Sequence, residues 1–225
     1  DTTVFNVVVG VKGEGDPLGP DSYGYICLDS GDEDWEFAPV YEWIEIDPDE
    51  NNNDFNGEVL DLNDRRDNGD VSTVVDLPFD FMYYGEEFDQ ITICSNGWAA
   101  FGDQEGLGDF RNRRIAQALG PNAQLCVWWD NLVVPNNASI TVAYDEDGGR
   151  YIIEWNNVGR LLDGGGIGAR ETFEIVLYDP EVHQTPSGDG VILFQYKDVT
   201  NENRAAHNDT PYCTIGIGNL DDSDG

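Results

Sequence analysis

Short runs of alternating apolar and polar residues recur along the chain and predict β-strands. In one run Tyr151, Ile153 and Trp155 share an apolar face, and the runs around Phe173 and Phe194 alternate in the same way. One apolar face per strand is typical of antiparallel sheets that pack on a core on one side only. The predicted strands are Ser22–Leu28, Tyr41–Ile46, Val71–Val75, Phe79–Tyr83, Ile91–Ser95, Trp98–Phe101, Leu125–Trp129, Ile140–Tyr144, Tyr151–Trp155, Phe173–Tyr178, Val191–Tyr196 and Thr214–Ile217. The pattern therefore predicts an all-β antiparallel β-sandwich with jelly-roll or immunoglobulin-like layers.

One segment instead has helical spacing. Ile115, Ala118 and Leu119 stand at positions i, i+3 and i+4, and a Gly-Pro pair follows them. This spacing, followed by a pair of residues that terminates helices, predicts one short helix over Asn112–Leu119.

The order of patterned and turn-rich segments predicts a simple domain organisation. Residues 1–12 form a separate N-terminal strand, and residues 13–20, rich in Gly and Pro, form a linker. Residues 21–225 are expected to form a single β-sandwich domain, in which residues 47–70 are a long acidic loop.

The N-terminal strand has an apolar face of its own. That face consists of Thr3, Phe5, Val7, Val9 and Val11. An apolar face on an extended segment favours burial. The strand can pair within its own domain, or it can leave that domain as a donor strand and complete the sheet of a neighbouring copy. The sequence is equally compatible with both arrangements, and the second one joins copies head to tail into a filament.

The chain is strongly acidic. Its formal net charge is −34, from 45 acidic and 11 basic residues. Nucleic acid is therefore not expected as a partner, because both surfaces are negative. No apolar run approaches the roughly 18 residues that a membrane span needs. Such a charge needs screening, and both a saline habitat and bound calcium account for it.

The acidic residues include three candidate calcium clusters. In the acidic loop, oxygen-bearing residues occupy alternate positions, with a glutamate at the twelfth place: Asp47, Asp49, Asn51, Asn53 and Glu58. This spacing resembles calcium loops in which odd positions point inward and a late glutamate completes the coordination shell. The other two clusters are Asp29, Asp32 and Asp34, and Asp145, Glu146 and Asp147. The alternative interpretation of each cluster is a solvated acidic turn.

The four cysteines, Cys27, Cys94, Cys126 and Cys213, allow three disulfide pairings, and sequence alone does not choose among them. The pairs Cys27–Cys213 and Cys94–Cys126 are favoured, because the first two lie towards the chain ends and the others lie in apolar central strands. Buried thiols are the alternative for the central pair.

No sequence motif indicates an enzyme. His183 and His207 lie in polar loops, and the HExxH, GxSxG and lysine-containing phosphate-binding patterns are absent. The six tryptophans suggest carbohydrate binding instead, because exposed aromatic rings stack on sugar faces. Most of them lie in strand patterns and are expected in the core. Trp35, surrounded by acidic residues, is the one expected to be exposed.

An ordered series of motifs resembles a known family. The series is Gly19–Tyr25, Tyr41–Asp47, Leu77–Gly85, Ile91–Trp98, Trp128–Leu132, Tyr151–Trp155, Glu171–Tyr178, Gly190–Tyr196 and Thr214–Ile217. It is similar to the accessory β-sandwich of large secreted bacterial proteins, often found beside gingipain-type or subtilisin-type peptidase modules, and more distantly to the nidogen-type domain. The resemblance implies an extracellular location and a non-catalytic role. Relatives tend to continue into further β-structure after the last motif, so one strand is surplus at the front and one is missing at the back.

These observations predict a secreted, non-catalytic structural protein of the cell surface. It is expected to be a calcium-stabilised subunit of a pilus-like filament, assembled with copies of itself through the N-terminal donor strand. The alternative is an accessory module that binds carbohydrate or matrix. Asn137 and Asn208 begin N-glycosylation patterns, which matter only if the protein is secreted in a host that glycosylates.

Overall fold

The computed structural model describes residues 13, 15–50, 53–65, 69–115, 120–162, 165–200, 213–221, 223 and 225. The predicted donor strand, with Phe5, Val7, Val9 and Val11, lies outside the described residues. The chain divides into two compact units, residues 1–42 and residues 43–225. This boundary lies further along the chain than the predicted domain start at residue 21.

In the first unit, the described residues form turns. Main-chain hydrogen bonds of 2.8 and 2.9 Å join Leu18 and Cys27 in an isolated antiparallel bridge. Between them, Oδ1 of Asp21 accepts hydrogen bonds from the N–H groups of residues 23–25. An aspartate that bonds its own backbone in this way holds a turn. The strand predicted over Ser22–Leu28 is therefore wrong.

The second unit contains eleven strands in two antiparallel sheets. They are β1 (Glu58–Val59), β2 (Ser72–Tyr83), β3 (Glu86–Cys94), β4 (Trp98–Phe101), β5 (Gln124–Trp129), β6 (Leu132–Val133), β7 (Ser139–Asp145), β8 (Arg150–Leu161), β9 (Ile167–Tyr178), β10 (Ile192–Asp198) and β11 (Thr214–Ile217). The six-stranded sheet has the order β1-β7-β8-β9-β10, with β6 paired to β8. The five-stranded sheet has the order β11-β5-β4-β3-β2.

The two sheets pack face to face. The indole N–H of Trp155 on β8 donates to the carbonyl of Cys94 on β3 at 2.9 Å. The ring of Trp128 on β5 stacks on Phe173 of β9, with 6.3 Å between centroids. These contacts place the five-stranded sheet over the six-stranded one, and the predicted all-β antiparallel sandwich is confirmed.

Every predicted strand from residue 71 onward overlaps an observed strand. Two predicted runs join into β2, whose register against β3 shifts between Asp76 and Phe81. The predicted helix over Asn112–Leu119 gains no support, because residues 112–115 are not helical and residues 116–119 lie outside the described residues. Among the described residues, no helix is long and apolar enough to cross a membrane.

The outer face of the five-stranded sheet, which points away from the other sheet, is also covered by protein. Cys94, Trp98, Cys126 and Trp129 form a buried cluster there. The indole N–H groups of Trp98 and Trp129 both donate to the carbonyl of Asp109, at 3.0 and 2.9 Å. A single carbonyl therefore ties the loop after β4 to two large core side chains.

The positions of the cysteines correct one disulfide prediction. All four cysteines lie in the described part of the chain. Cys94 and Cys126 both pair with Trp98, from the two strands that flank β4. Two strand spacings separate their Cα atoms by roughly 9.6 Å, whereas a disulfide requires less than about 7 Å. The predicted Cys94–Cys126 disulfide is therefore wrong, and the alternative of buried thiols holds. The Cys27–Cys213 pair spans the two units and stays a prediction.

Candidate functional site

Residues 43–47, called here the crossing segment, lie on the outer face of the six-stranded sheet without joining it. Ile44 and Ile46 are buried against Ile152 and Val176 of that face. The strand predicted over Tyr41–Ile46 is wrong, because no strand among the described residues pairs with the segment. The N–H groups of Ile44 and Ile46 donate to side chains of the sheet instead.

Two glutamates supply those acceptors. The N–H of Ile46 donates to Oε2 of Glu154 at 3.1 Å, and the N–H of Ile44 reaches Oε1 of Glu174 at 3.4 Å. Glu154 on β8 and Glu174 on β9 lie directly opposite each other in the sheet register. Both are completely buried. Buried main-chain N–H groups need an acceptor, and these two side chains provide it.

The two glutamates belong to a polar row that crosses four adjacent strands. The register aligns Thr141 of β7, Glu154, Glu174 and Gln195 of β10. The amide of Gln195 donates to Oε1 of Glu174 at 2.6 Å. Three buried oxygens of this row have no hydrogen-bond partner among the described residues: Thr141 Oγ1, Glu154 Oε1 and Glu174 Oε2.

Burial shifts the ionisation of both glutamates. It raises the pKa of Glu154 to about 9, and repulsion from Glu45 acts in the same direction. Burial also raises the pKa of Glu174 to about 8, against the hydrogen bond from Gln195, which lowers it. A carboxyl group in an apolar setting favours its neutral form. Without a compensating positive charge, both groups therefore hold a proton at neutral pH.

The crossing segment contributes two further carboxylates. Glu45 is ion-paired with Lys197 at 2.5 Å, and the ammonium group of Lys197 lies 5.3 Å from the ring centroid of Trp43. Oδ2 of Asp47 accepts hydrogen bonds from Asn156, at 2.8 Å, and from the hydroxyl of Ser139. Burial would raise the pKa of Asp47, but these hydrogen bonds outweigh it and lower the pKa below its ordinary value.

The residues of the predicted calcium loop do not converge. Asp47 is buried and already accepts three hydrogen bonds, whereas Asp49 and Glu58 are exposed. Asn53 is half-buried, and Asn51 lies outside the described residues. Within the described part of the chain, no three His, Cys, Asp or Glu side chains are placed to hold a metal ion. Calcium in this loop stays a prediction.

The other acidic clusters form local turns. Asp32 is 2% exposed, and its Oδ2 accepts the N–H of Asp29 at 2.8 Å, while Asp34 is exposed. Asp145 of the third cluster is ion-paired with Arg150 at 2.6 Å. Asp32 and Asp145 are therefore buried rather than solvated, and calcium at these two clusters stays a prediction.

The tryptophans divide only in part as the sequence predicts, because Trp43 and Trp128, which were expected in the core, are half-buried. Trp98, Trp129 and Trp155 are completely or almost completely buried, whereas Trp35 is 49% exposed. Trp35 belongs to the first unit, where further apolar side chains are exposed: Leu18, Tyr23, Ile26, Phe37, Val40 and Tyr41. The glycosylation candidate Asn137 is exposed in the turn before β7, and Asn208 lies outside the described residues.

Sequence reasoning missed Glu154 and Glu174. Glu154 is the one acidic residue of β8, and Glu174 is one of two in β9; the residues next to each of them are apolar. A strand that is apolar on both faces is covered on both faces. An acidic residue in such a strand is therefore a signal for a buried polar site, and this signal was present in the sequence.

Comparison with known proteins identifies the family to which this chain belongs. No solved structure matches the chain. The model of a family described as NIDO related matches residues 52–224. This range covers all eleven strands and both glutamates of the polar row. It agrees with the distant resemblance to the nidogen-type domain. Domains of this kind are typically found in extracellular proteins. Because the match covers more than three quarters of its 225 residues, the chain belongs to the NIDO-related family.

Proposed function

We propose that this protein is a secreted, non-catalytic structural subunit that assembles with copies of itself into a filament at the cell surface. In this proposal the N-terminal strand of one copy adds to the edge strand β10 of the next copy. The observation that carries the proposal is that β10, an edge strand among the described strands, is mainly apolar between Ile192 and Tyr196. The exposed charged residues Lys197 and Asp198 and a register shift come only at its end. Membership of a family typical of extracellular proteins supports secretion.

Exposed edge strands usually carry features that prevent pairing with another chain. The long edge strand of the five-stranded sheet, β2, has three such features. It contains exposed Pro78, it carries exposed Asp76 and Asp80, and its register is interrupted at this point. These features protect β2 against the addition of a further strand.

β10, the corresponding edge of the six-stranded sheet, has none of these features between Ile192 and Tyr196. Tyr178 donates its N–H to the carbonyl of Val191, so this pair is a hydrogen-bonded one. Hydrogen-bonded and non-hydrogen-bonded pairs alternate along an antiparallel ladder. The main-chain groups of Ile192 and Phe194 therefore point away from β9, towards the position of an added strand.

The apolar side chains at this edge are incompletely covered. Ile192 and Phe194 lie opposite Leu177 and Ile175. The two β9 residues are completely buried, but the two β10 residues are only half-buried. An apolar strand added here would cover Ile192 and Phe194 and extend the core.

The neighbouring edge of the other sheet is also apolar. The hydroxyl of Tyr196 on β10 donates to the carbonyl of Val127 on β5, the strand that pairs with β11. β10 and β11 therefore border the same side of the sandwich. On β11, Ile215 is 49% exposed and Ile217 is half-buried. Residues 3–11 carry no charge, and Phe5, Val7, Val9 and Val11 share one face, as an added strand requires at such an apolar edge.

Electron microscopy of negatively stained protein in calcium-containing buffer tests the proposal. Regular filaments are expected for the intact chain and for Val74→Pro, and no filaments for the chain lacking residues 1–12 or for Ile192→Pro. Each proline removes one N–H that points away from its sheet, so the two substitutions differ only in which edge they block. Uniform single particles of the intact chain, or filaments of Ile192→Pro, would contradict the proposal.

The second candidate function is that of an accessory module that binds carbohydrate or matrix beside peptidase modules of a larger protein. The exposed aromatic side chains Trp35, Phe37 and Tyr41 of the first unit favour it. A soluble intact chain that binds a polysaccharide and loses this binding on Trp35→Ala would support this function. Retention of binding by Trp35→Ala would count against it, with Trp128→Phe as the control for a general loss of structure.

A further inference from the structure

A short loop concentrates positive charge in this acidic chain. Three of the eleven basic residues, Arg111, Arg113 and Arg114, stand within four positions of the connection between β4 and β5. Residues 111–114 are called here the arginine loop. The carboxylate of Asp109, close by, accepts the main-chain N–H of Arg111 at 3.2 Å. The ion pairs within the described part of the chain use other cations, and none involves the arginine loop.

The arginine loop is held beside the edge strand β11. The hydroxyl of Thr214, the first residue of β11, donates to the carbonyl of Arg113 at 2.7 Å. Ile115, which follows the loop, packs on the buried cluster of the outer face. The guanidinium group of Arg111 lies 5.2 Å from the ring centroid of Phe110. The loop therefore has a fixed position next to one of the two strands that border the proposed site of strand addition.

The first unit carries a surface of opposite charge. Residues 13–42 contain nine acidic residues and no basic one. Residues 29–37, called here the acidic-aromatic turn, hold five of these acidic residues, and Glu33, Glu36 and the ring of Trp35 are exposed. Carboxylates bind arginine through paired hydrogen bonds, and aromatic rings bind it through their faces. The turn thus exposes both kinds of partner that an arginine prefers.

The charge of the chain and its connectivity bring the two surfaces together. Copies with a net charge of −34 repel each other, so a contact between copies needs local attraction. In a head-to-tail filament, the rest of the first unit follows the inserted strand to the β10–β11 side of the next copy. Residues 11–18, which precede the Leu18–Cys27 bridge, span at most about 25 Å. The turn therefore stays near the edge at which its own strand is inserted.

We propose that the arginine loop of the copy that receives the strand binds the acidic-aromatic turn of the copy that donates it. This inference rests on the proposed function and adds the charged contact that orients neighbouring copies. Arg111 and Arg114 pair with the carboxylates of Glu33 and Glu36, and Trp35 lies against a guanidinium group. Arginine suits this role because its planar group pairs with carboxylates and stacks on rings.

Paired charge reversals test this contact. The loop variant carries Arg111→Glu and Arg114→Glu, and the turn variant carries Glu33→Arg and Glu36→Arg; all four side chains are exposed. Sedimentation velocity measures the association of copies, from pairs to filaments. Each variant alone should associate at least about tenfold more weakly than the intact chain, because like charges then face each other. An equal mixture should regain association, since reversed loops then meet reversed turns and unchanged loops meet unchanged turns.

A matched control separates the contact from a change in net charge. Arg65→Glu makes the same change as Arg114→Glu at another exposed arginine and should leave association unchanged. Circular dichroism checks that every variant is folded. The proposal is overturned by normal association of the loop variant or by equal losses in the two single variants. A mixture that regains nothing would also overturn it, by placing the contact within one copy. Strand insertion has its own readout, because it fails when Ile192→Pro assembles, whatever the loop variant does.

Discussion

Glu154 and Glu174 lie directly opposite each other on β8 and β9, and each accepts an N–H group from the crossing segment. A pair of side chains thus takes the place of a neighbouring β-strand as the acceptor for residues 44 and 46. The donor and acceptor of the Ile46 hydrogen bond are 108 positions apart in the chain. The covering of the outer face therefore depends on two carboxyl groups, and their replacement is a direct test of the architecture.

Glu154→Ala should destabilise the protein by about 3 kcal/mol in calcium-free buffer. The substitution leaves the buried N–H of Ile46 without an acceptor and creates a cavity. Glu154→Gln keeps an acceptor oxygen and nearly the same volume, so it should cost less than about 1 kcal/mol. Urea unfolding measures both values. Equal losses in the two variants would show that the acceptor role of Glu154 is unimportant.

The stability of the protein should fall as the pH rises from about 4 to about 6 because of Asp64. Burial raises the pKa of this carboxyl group from 3.8 to about 6, repulsion from Asp70 adds to the rise, and a hydrogen bond from Ser95 opposes it. Between these two pH values the folded state binds more protons than the unfolded chain, so the free energy of unfolding falls with increasing pH. A shift of two pKa units corresponds to at most about 3 kcal/mol.

Asp64→Asn should flatten this part of the pH profile, because the amide does not titrate. Denaturant unfolding at several pH values between 4 and 7 measures the slope. Asp61→Asn, an exposed residue of the same loop, is the control and should leave the slope as in the intact chain. An unchanged slope in Asp64→Asn would assign the pH dependence to other groups.

Gly97→Ala should be much more destabilising than Gly106→Ala. Both glycines have a positive φ, of 72° and 84°, which costs an alanine about 1 kcal/mol. A Cβ at Gly97 would lie 2.2 Å from the carbonyl oxygen of Trp128, whereas a Cβ at Gly106 has open space around it. The difference between the two variants isolates this backbone contact and should exceed about 2 kcal/mol. Thermal unfolding of the two variants provides the comparison, and equal melting temperatures would contradict the close packing at Gly97.

Cys94 and Cys126 should resist alkylation in the folded protein and react once it is unfolded. Both are completely buried, and burial raises the pKa of Cys94 to about 12, which suppresses its reactive thiolate. Mass spectrometry after alkylation, with and without denaturant, counts the modified thiols. A Cys94–Cys126 disulfide in the folded protein under non-reducing conditions would contradict the strand register of β3, β4 and β5.

The sequence predicted the positions of most strands because alternation is a local property of the chain. Tyr151, Ile153 and Trp155 alternate within one strand, and no distant contact is needed to see that they share a face. The prediction failed at Tyr41–Ile46, which also alternates. Whether an alternating segment joins a sheet depends on which acceptors its N–H groups meet, and here those acceptors are Glu154 and Glu174.

The cysteines show the same difference between what the local sequence predicts and what the tertiary structure determines. Their apolar surroundings correctly indicated that Cys94 and Cys126 are buried, since the composition of a strand reports its burial. Their pairing depends on strand order, and the placement of β4 between β3 and β5 keeps the two thiols apart.

By itself, the sequence determined that this protein is an antiparallel β-sandwich with a strongly acidic surface. Strand periodicity and charge follow directly from the identities of neighbouring residues. Only the tertiary structure decided which segment covers the buried carboxyl groups. The acidic residues at 47–58 suggested a calcium site, yet the two completely buried glutamates lie in two separate strands, β8 and β9. Their burial follows from the crossing segment, which closes over them from more than 100 positions away, and no local pattern encodes that contact.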